Sequence, residues 1–392
     1  MSSVQRVGLS PPGVVCALGN NCHEVLKNFR SGHAPGLSRQ SGWLPDSDIL
    51  TAAVQMELPT IPNRLADFDC RNNRLLAAAL EQIQDAIDDA IDCFGRRRVA
   101  VVIGSSTSGI FEGERALAGE GHRYHYRQQE IGTPALFVAR TLQLQSIAYT
   151  VSTACSSAAK AFISARQLLQ LGICDAVIVG GSDSLCKLTL NGFTALESVS
   201  AAGCNPFSAN RDGITIGEGS ALFVMRRDQG QVFLAGAGES SDAHHISAPH
   251  PEGTGAIAAM NTALQDATLN ATQIDYLNLH GTATQKNDAM ESTAVNSVLG
   301  KHVPCSSSKS LTGHTLGAAG AIEAALCCLL ILNRGTLPAQ VWDGEYDASL
   351  ANIALLNTPV ELPKNSPLHM MSNSFAFGGS NACLIFGSEN GV

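Results

Sequence analysis

The feature that most constrains this chain is a recurring pair of elements, a short apolar strand followed by a helix, with reactive residue types at the strand ends. Arg98 to Ile103 (RVAVVI) runs into Gly104 and a Ser/Thr/Gly loop. Ile147 to Ser152 leads directly into Thr153-Ala154-Cys155, and the segment AAKAFISARQLLQL from Ala158 is strongly helical until Gly172. Asp175 to Gly181 (DAVIVGG) then reads as a buried strand. Strand, helix and strand in that order predict a right-handed parallel crossover.

The pattern returns later. Ala256 to Thr268 reads as a helix, Ile274 to Leu279 as a strand with His280 behind it, and a second helix begins near Asp288. Val303 to Ser306 is a short strand that turns to His314 and a long apolar helix. Met370 to Asn373 and Ala382 to Phe386 read as closing strands around a Gly-rich loop. This recurrence predicts an internal duplication with its junction near Arg226 to Gln231, dividing the chain into halves 1–230 and 231–392. Pro35 to Pro62, with several Pro, Gly and Ser, reads as an irregular surface excursion.

Composition agrees with a layered α/β fold. The 392 residues are 45% hydrophobic, enough for a large core, and the 37 glycines permit tight strand-to-helix turns. A net charge of -9 excludes a global basic field for nucleic acid. The 12 cysteines lack paired metal-ligand spacing, so they read as small buried apolar residues of a reducing compartment, and no metal is expected. Met1 to Asn20 has no basic segment before an apolar one, and Ala318 to Leu332 is interrupted by Glu323 and too short for a membrane span. A soluble cytoplasmic protein is expected.

Cys155 lies between a strand and a helix, where the positive end of the helix dipole favours thiolate. His280 opens HGTAT just after a strand, and His314 sits in SKSLTGHTLGAAG. Either histidine alone reads as a hydrogen-bonded core residue. With a strand-end cysteine they make a catalytic constellation, because two imidazoles can donate to one thioester carbonyl and stabilise an enolate.

The stretches TACSSAAKA, NPFSANRDGITIGEGSALFVM, HGTATQKND, SSSKSLTGHTLGAAGAIEAAL and NSFAFGGSNA resemble, in this order, the signatures of β-ketoacyl-acyl-carrier-protein synthases of the first and second types. The resemblance implies a thiolase-like αβαβα layered fold with two duplicated halves, usually dimeric. It implies that Cys155 is the acylated nucleophile and that His280 and His314 are the catalytic histidines. Lys309 matches the family's active-site lysine, Glu323 its buried carboxylate partner, and Phe377 its gating phenylalanine. The backbone N–H groups of Cys155 and Phe377 match the oxyanion hole, and Pro206 to Gly213 a supporting loop. The implied reaction is decarboxylative condensation of an acyl group on Cys155 with malonyl-acyl carrier protein. Phosphopantetheine arrives on the carrier, and no cofactor is bound by the enzyme.

Acyl carrier protein is the expected partner, with a second copy of the chain or a related condensing-enzyme subunit. Arg64, Arg71, Arg74, Arg123 and Arg127 are the expected basic rim for an acidic carrier. The sequence departs from the family at Ala283, at Gln285-Lys286-Asn287-Asp288, and across Ser105 to Gln145, where the acyl pocket and dimer contact lie in relatives. A thiolase and a non-catalytic chain-length partner are the alternatives. The His314 motif opposes the first and Cys155 the second.

Overall fold

The computed structural model describes residues 7–45, 47–120, 124–227 and 229–388. Among the described residues the main sheet has eleven strands, ten of them on one continuous path: Val7–Leu9 (β1), Val99–Gly104 (β2), Ala148–Val151 (β3), Ala176–Asp183 (β4), Gly219–Arg227 (β5), Val232–Ser241 (β6), Tyr276–Asn278 (β7), Cys305–Ser306 (β8), His369–Ala376 (β9) and Ser380–Ser388 (β10), while Gly13–Cys16 pairs off that path with β5. Their spatial order is β8-β7-β9-β10-β6-β1-β5-β4-β2-β3. Read outward from the β6/β1 joint, each half has the order first, fifth, fourth, second, third. The directions match too. In each half the second, third and fourth strands are parallel, and the fifth runs antiparallel to both the fourth and the first. The duplication expected from sequence is therefore present in topology.

Seven helices matter for the layering: Arg71–Glu81 (α1), Gln84–Phe94 (α2), Thr133–Thr141 (α3), Ser157–Gln170 (α4), Thr254–Ala267 (α5), Gln285–Leu299 (α6) and Ala319–Asn333 (α7). Helices α4 and α7 pack on each other and touch strands of both halves. Helices α1 to α3 cover the N-terminal half, α5 the C-terminal half, and α6 packs beside α5. These are the five layers of a thiolase-like fold. Helix α7 is apolar on every side because it is buried on every side, from Ala319 to Ile331. The stretch Leu316–Asn333 is long and apolar enough to cross a membrane by composition, but it forms this central layer.

Two boundaries differ from the sequence reading. Pro35 to Pro62 is not wholly irregular: Leu37–Leu44 and Ser47–Ala52 form a hairpin, and its second strand pairs with Ile216–Gly217. The hairpin's first strand has no fully buried residue and its second buries only Ile49, Thr51 and Ala52, so neither carries the apolar run that marks the central strands. The helix expected near Asp288 starts three residues earlier, at Gln285.

Phe162 of α4 joins the layers. Its ring meets Phe223 of β5 edge-on at 5.3 Å and Phe386 of β10 at 6.2 Å. Phe162→Ala should cost about 3–5 kcal/mol, the usual range for emptying a buried aromatic site. Urea denaturation measures this, and a loss under about 1 kcal/mol would mean that α4 does not join the halves.

Candidate active site

The carboxyl ends of the parallel strands supply the site. Strand β3 ends at Val151, and the chain turns through Ala154, whose φ of 51° lies in the left-handed region. That conformation costs an alanine about 1–2 kcal/mol. Local hydrogen bonds hold it: Ser106 Oγ donates to the Ala154 carbonyl at 3.1 Å, and Thr153 N–H donates to Ser157 Oγ at 2.9 Å. Strand β2 passes against the start of α4 so closely that a Cβ on Gly104 would meet Ala158 N at 2.3 Å. The turn places Cys155 at the foot of α4, and the backbone N–H groups of Phe377 and Cys155 are directed at its sulfur.

His314 Nε2 lies 3.0 Å from Cys155 Sγ. The His314 backbone is fixed by donating to the Thr215 carbonyl at 2.7 Å and accepting from Gly217 N–H at 3.0 Å. The His280 ring stands edge-on to His314, with centroids 5.4 Å apart. Lys309 is 1% exposed, and its Nζ reaches Glu323 Oε1 at 2.5 Å, the His280 carbonyl at 2.5 Å and His280 Nδ1 at 3.4 Å. An ammonium facing Nδ1 makes that nitrogen an acceptor, so Nε2 carries the proton of the neutral His280 ring. The structure thus brings Cys155, His280, His314, Lys309 and Glu323 together. Phe377 joins them, half-buried, with its ring 5.7 Å from Phe193.

Several supporting carboxylates went unnoticed in the sequence. Glu291 accepts from His280 N–H at 2.8 Å, Gly281 N–H at 2.7 Å and Asn373 Nδ2 at 3.2 Å. Asp288 accepts from Phe207 N–H at 2.8 Å and Ala283 N–H at 3.2 Å. Asp183, at the end of β4, accepts from Ser105 Oγ, Ser106 N–H and Thr107. Their signal was spacing: Asp288 and Glu291 follow the HGTAT loop by one turn and two turns of a helix, within reach of its backbone.

Electrostatics correct one expectation. Burial pushes the Cys155 thiol up to about 12, and Asp183 adds to this, although Lys309 and the backbone donors oppose it. The resting group is a thiol and not a thiolate, because desolvation outweighs the helix dipole. Burial first, and then Lys309, hold both histidines well below 6.5, with His314 also lowering His280. Burial raises Glu291 to about 7 despite its three donors.

The expected basic rim is not one free surface. Arg71 pairs with the wholly buried Glu218, which also accepts from Val54 N–H, so Arg71 neutralises an interior charge. Arg74 is paired with Asp69 at 2.6 Å. Arg64 donates to the carbonyls of Arg140 and Thr141 and stays exposed, and Arg127 lies over the Phe68 ring. Arg123 lies outside the described residues.

A cavity of about 290 Å³ opens onto Cys155, His280 and His314, with Phe377 on its wall. The model of the β-ketoacyl synthase N-terminal domain matches residues 51–230, and that of the C-terminal domain matches 232–342. The chain belongs to the β-ketoacyl synthase family.

A putative mitochondrial 3-oxoacyl-[acyl-carrier-protein] synthase of Schizosaccharomyces pombe is 37% identical over 65% of each chain. The 3-oxoacyl-[acyl-carrier-protein] synthase 2 of Staphylococcus aureus is 30% identical over 98% of this chain and 99% of its own. Among solved structures, the ketosynthase ApeO of Xenorhabdus doucetiae, in complex with its chain length factor ApeC, superposes with a TM-score of 0.95. It is 47% identical and covers 99% of both chains.

Two outcomes test the electrostatics of this β-ketoacyl synthase site. Lys309→Ala leaves Glu323 buried without its cation and should cost about 3–5 kcal/mol in denaturant unfolding, whereas Lys309→Met/Glu323→Leu should recover most of that loss. An equal loss in the double variant would show that packing, not charge, sets the cost. Alkylation of Cys155 by iodoacetamide, read on its own peptide because Cys93 is exposed and competes, should rise about tenfold per pH unit through pH 9. A plateau below pH 8 would contradict the raised thiol.

Proposed function

We propose that the chain joins an acyl group held on Cys155 to a malonyl group delivered by acyl carrier protein, releasing carbon dioxide and a β-ketoacyl carrier lengthened by two carbons. The observation that carries this reading is the contact of Cys155 with a neutral His314, beside a second neutral imidazole and two backbone donors. The named relatives among the 3-oxoacyl-acyl-carrier-protein synthases support it.

The reaction has two halves. His314 Nε2 accepts the thiol proton as Cys155 attacks the incoming thioester, which removes the need for a standing thiolate. The oxyanion is held by the N–H groups of Cys155 and Phe377. The proton passes to the departing carrier thiol, and His314 returns neutral. Malonyl carrier then enters, and the carboxylate leaves as carbon dioxide. The electron pair of the broken bond becomes an enolate, stabilised by His280 Nε2–H and by His314 in its other tautomer. The enolate carbon attacks the acyl carbonyl, the C–S bond to Cys155 breaks, and the thiolate takes from water the one proton that the condensation consumes. Lys309 and Glu323 hold the His280 backbone and ring in place, and Phe377 gates the cavity.

Phosphopantetheine enters on the carrier as part of the substrate. Carrier docking falls to exposed cations without carboxylate partners among the described residues, Arg64 and Arg127. The site is completed by a second subunit, either another copy or a related condensing-enzyme chain. Strand β3 is a half-buried sheet edge, and Tyr126, Ile131, Leu136 and Ile147 before it are exposed apolar side chains. ApeO, solved with its chain length factor, favours the related chain. The halves divide at 230/231. All twelve cysteines are free thiols, which suits the cytoplasm.

Separate readouts test the division of labour. Cys155→Ala should neither gain an acyl group nor form product. His280→Ala and His314→Ala should retain some acyl loading, and carbon dioxide release should fall by about 10²–10⁴, the range for losing a positioned proton donor. Normal carbon dioxide release in both histidine variants, or undiminished condensation by Cys155→Ala, would overturn the reading.

A further inference from the structure

The cavity has a floor and a mouth of different chemistry. Cys155 is 6% exposed and His280 and His314 are 2% exposed, so the thioester end of any substrate must reach a dry floor. At the mouth lie the exposed residues Leu196, Glu197, Asp212 and Lys286. Among the described residues lining the cavity, Lys286 is the one lysine or arginine. It makes no hydrogen bond or ion pair among those residues. Its neighbour Gln285 is anchored, with Nε2 donating to the Arg211 carbonyl at 2.8 Å, which fixes this turn of chain at the rim.

A carrier-borne substrate also has two ends. The malonyl end carries a carboxylate that is lost as carbon dioxide on the floor, and the phosphodiester at the far end of the pantetheine arm is a lasting anion that cannot be buried without a partner. When the thioester reaches Cys155, the anionic end emerges at the mouth. There it meets two carboxylates, Glu197 and Asp212, and one unpaired cation. A chain of net charge -9 repels an anion in general, so a single cation at the mouth decides where the phosphate comes to rest. Lysine binds phosphate as a point charge at the end of a flexible stem, which suits a rim position.

We infer that Lys286 is the positioning residue for the phosphate of the phosphopantetheine arm, holding the arm at the cavity mouth while the thioester lies against Cys155 and the histidines. This rests on the condensation reading above and adds a recognition element to it. Lys286 touches no reacting atom, so its effect belongs to arm binding and not to the chemical step.

The test uses three malonyl donors with the purified, acyl-loaded protein and, where required, its partner subunit. The donors are malonyl-carrier, malonyl-phosphopantetheine without protein, and malonyl-pantetheine, which lacks the phosphate. Lys286→Ala should raise KM about five- to tenfold for both phosphate-bearing donors, as expected for one charged hydrogen bond at a partly exposed site. It should leave kcat and the malonyl-pantetheine KM unchanged, and Lys286→Arg should restore the phosphate-bearing KM values. An equal rise with all three donors would mean a structural role and overturn the inference. A rise confined to malonyl-carrier would place Lys286 against a carrier side chain and overturn it too, as would no change with any donor. Failure of the unsubstituted protein to condense any donor would instead count against the condensation reading itself.

Discussion

The buried Lys309 ammonium is the interaction on which the rest of the site depends. It holds Glu323 of the central helix α7, the carbonyl of His280 and the Nδ1 face of its ring. Burial of such an ion is costly and is offset only because a carboxylate and a carbonyl oxygen surround it. Two consequences follow. The loop after β7 is anchored to the most deeply buried helix, so His280 cannot drift. The positive charge also joins burial in keeping both imidazoles neutral, the state in which an N–H can donate without first losing a proton.

The duplicated fold explains why the parts meet. Each half offers the carboxyl ends of three parallel strands, where an α/β sheet holds its ligands. One half supplies Cys155 after β3 and Asp183 at the end of β4. The other supplies His280, Lys309, His314 and Phe377 from the ends of β7, β8 and β9. Helices α4 and α7, in the layer shared by both halves, bring these ends together. Rigid elements on both sides hold the 3.0 Å contact between Cys155 and His314.

Much of this was legible in the sequence. Apolar runs identified the central strands, and their ends identified Cys155 and His280. The all-round apolar run with Glu323 in it identified α7. What escaped depends on tertiary contact. Arg71 and Arg74 look like free surface charges until Glu218 and Asp69 are found beside them. Glu291 reads as an ordinary helical carboxylate, yet it is fully buried under two backbone donors of the HGTAT loop. The state of Cys155 could not be inferred from its place at a helix start, because the degree of burial decides it. The hairpin of Leu37 to Ala52 was invisible for a simpler reason. Its first strand buries no residue fully and its second only Ile49, Thr51 and Ala52, so hydropathy does not mark it.

Neutral imidazoles in contact with a protonated thiol are the core of this account. Their protonation is directly observable by nitrogen-15 NMR of histidine-labelled protein, with His280→Ala and His314→Ala used to assign the two signals. An ordinary imidazole is half protonated near its reference value of 6.5. Both rings should still be neutral at that pH, His280 as the tautomer protonated on Nε2. Either ring titrating with a midpoint at or above 6.5 would contradict it.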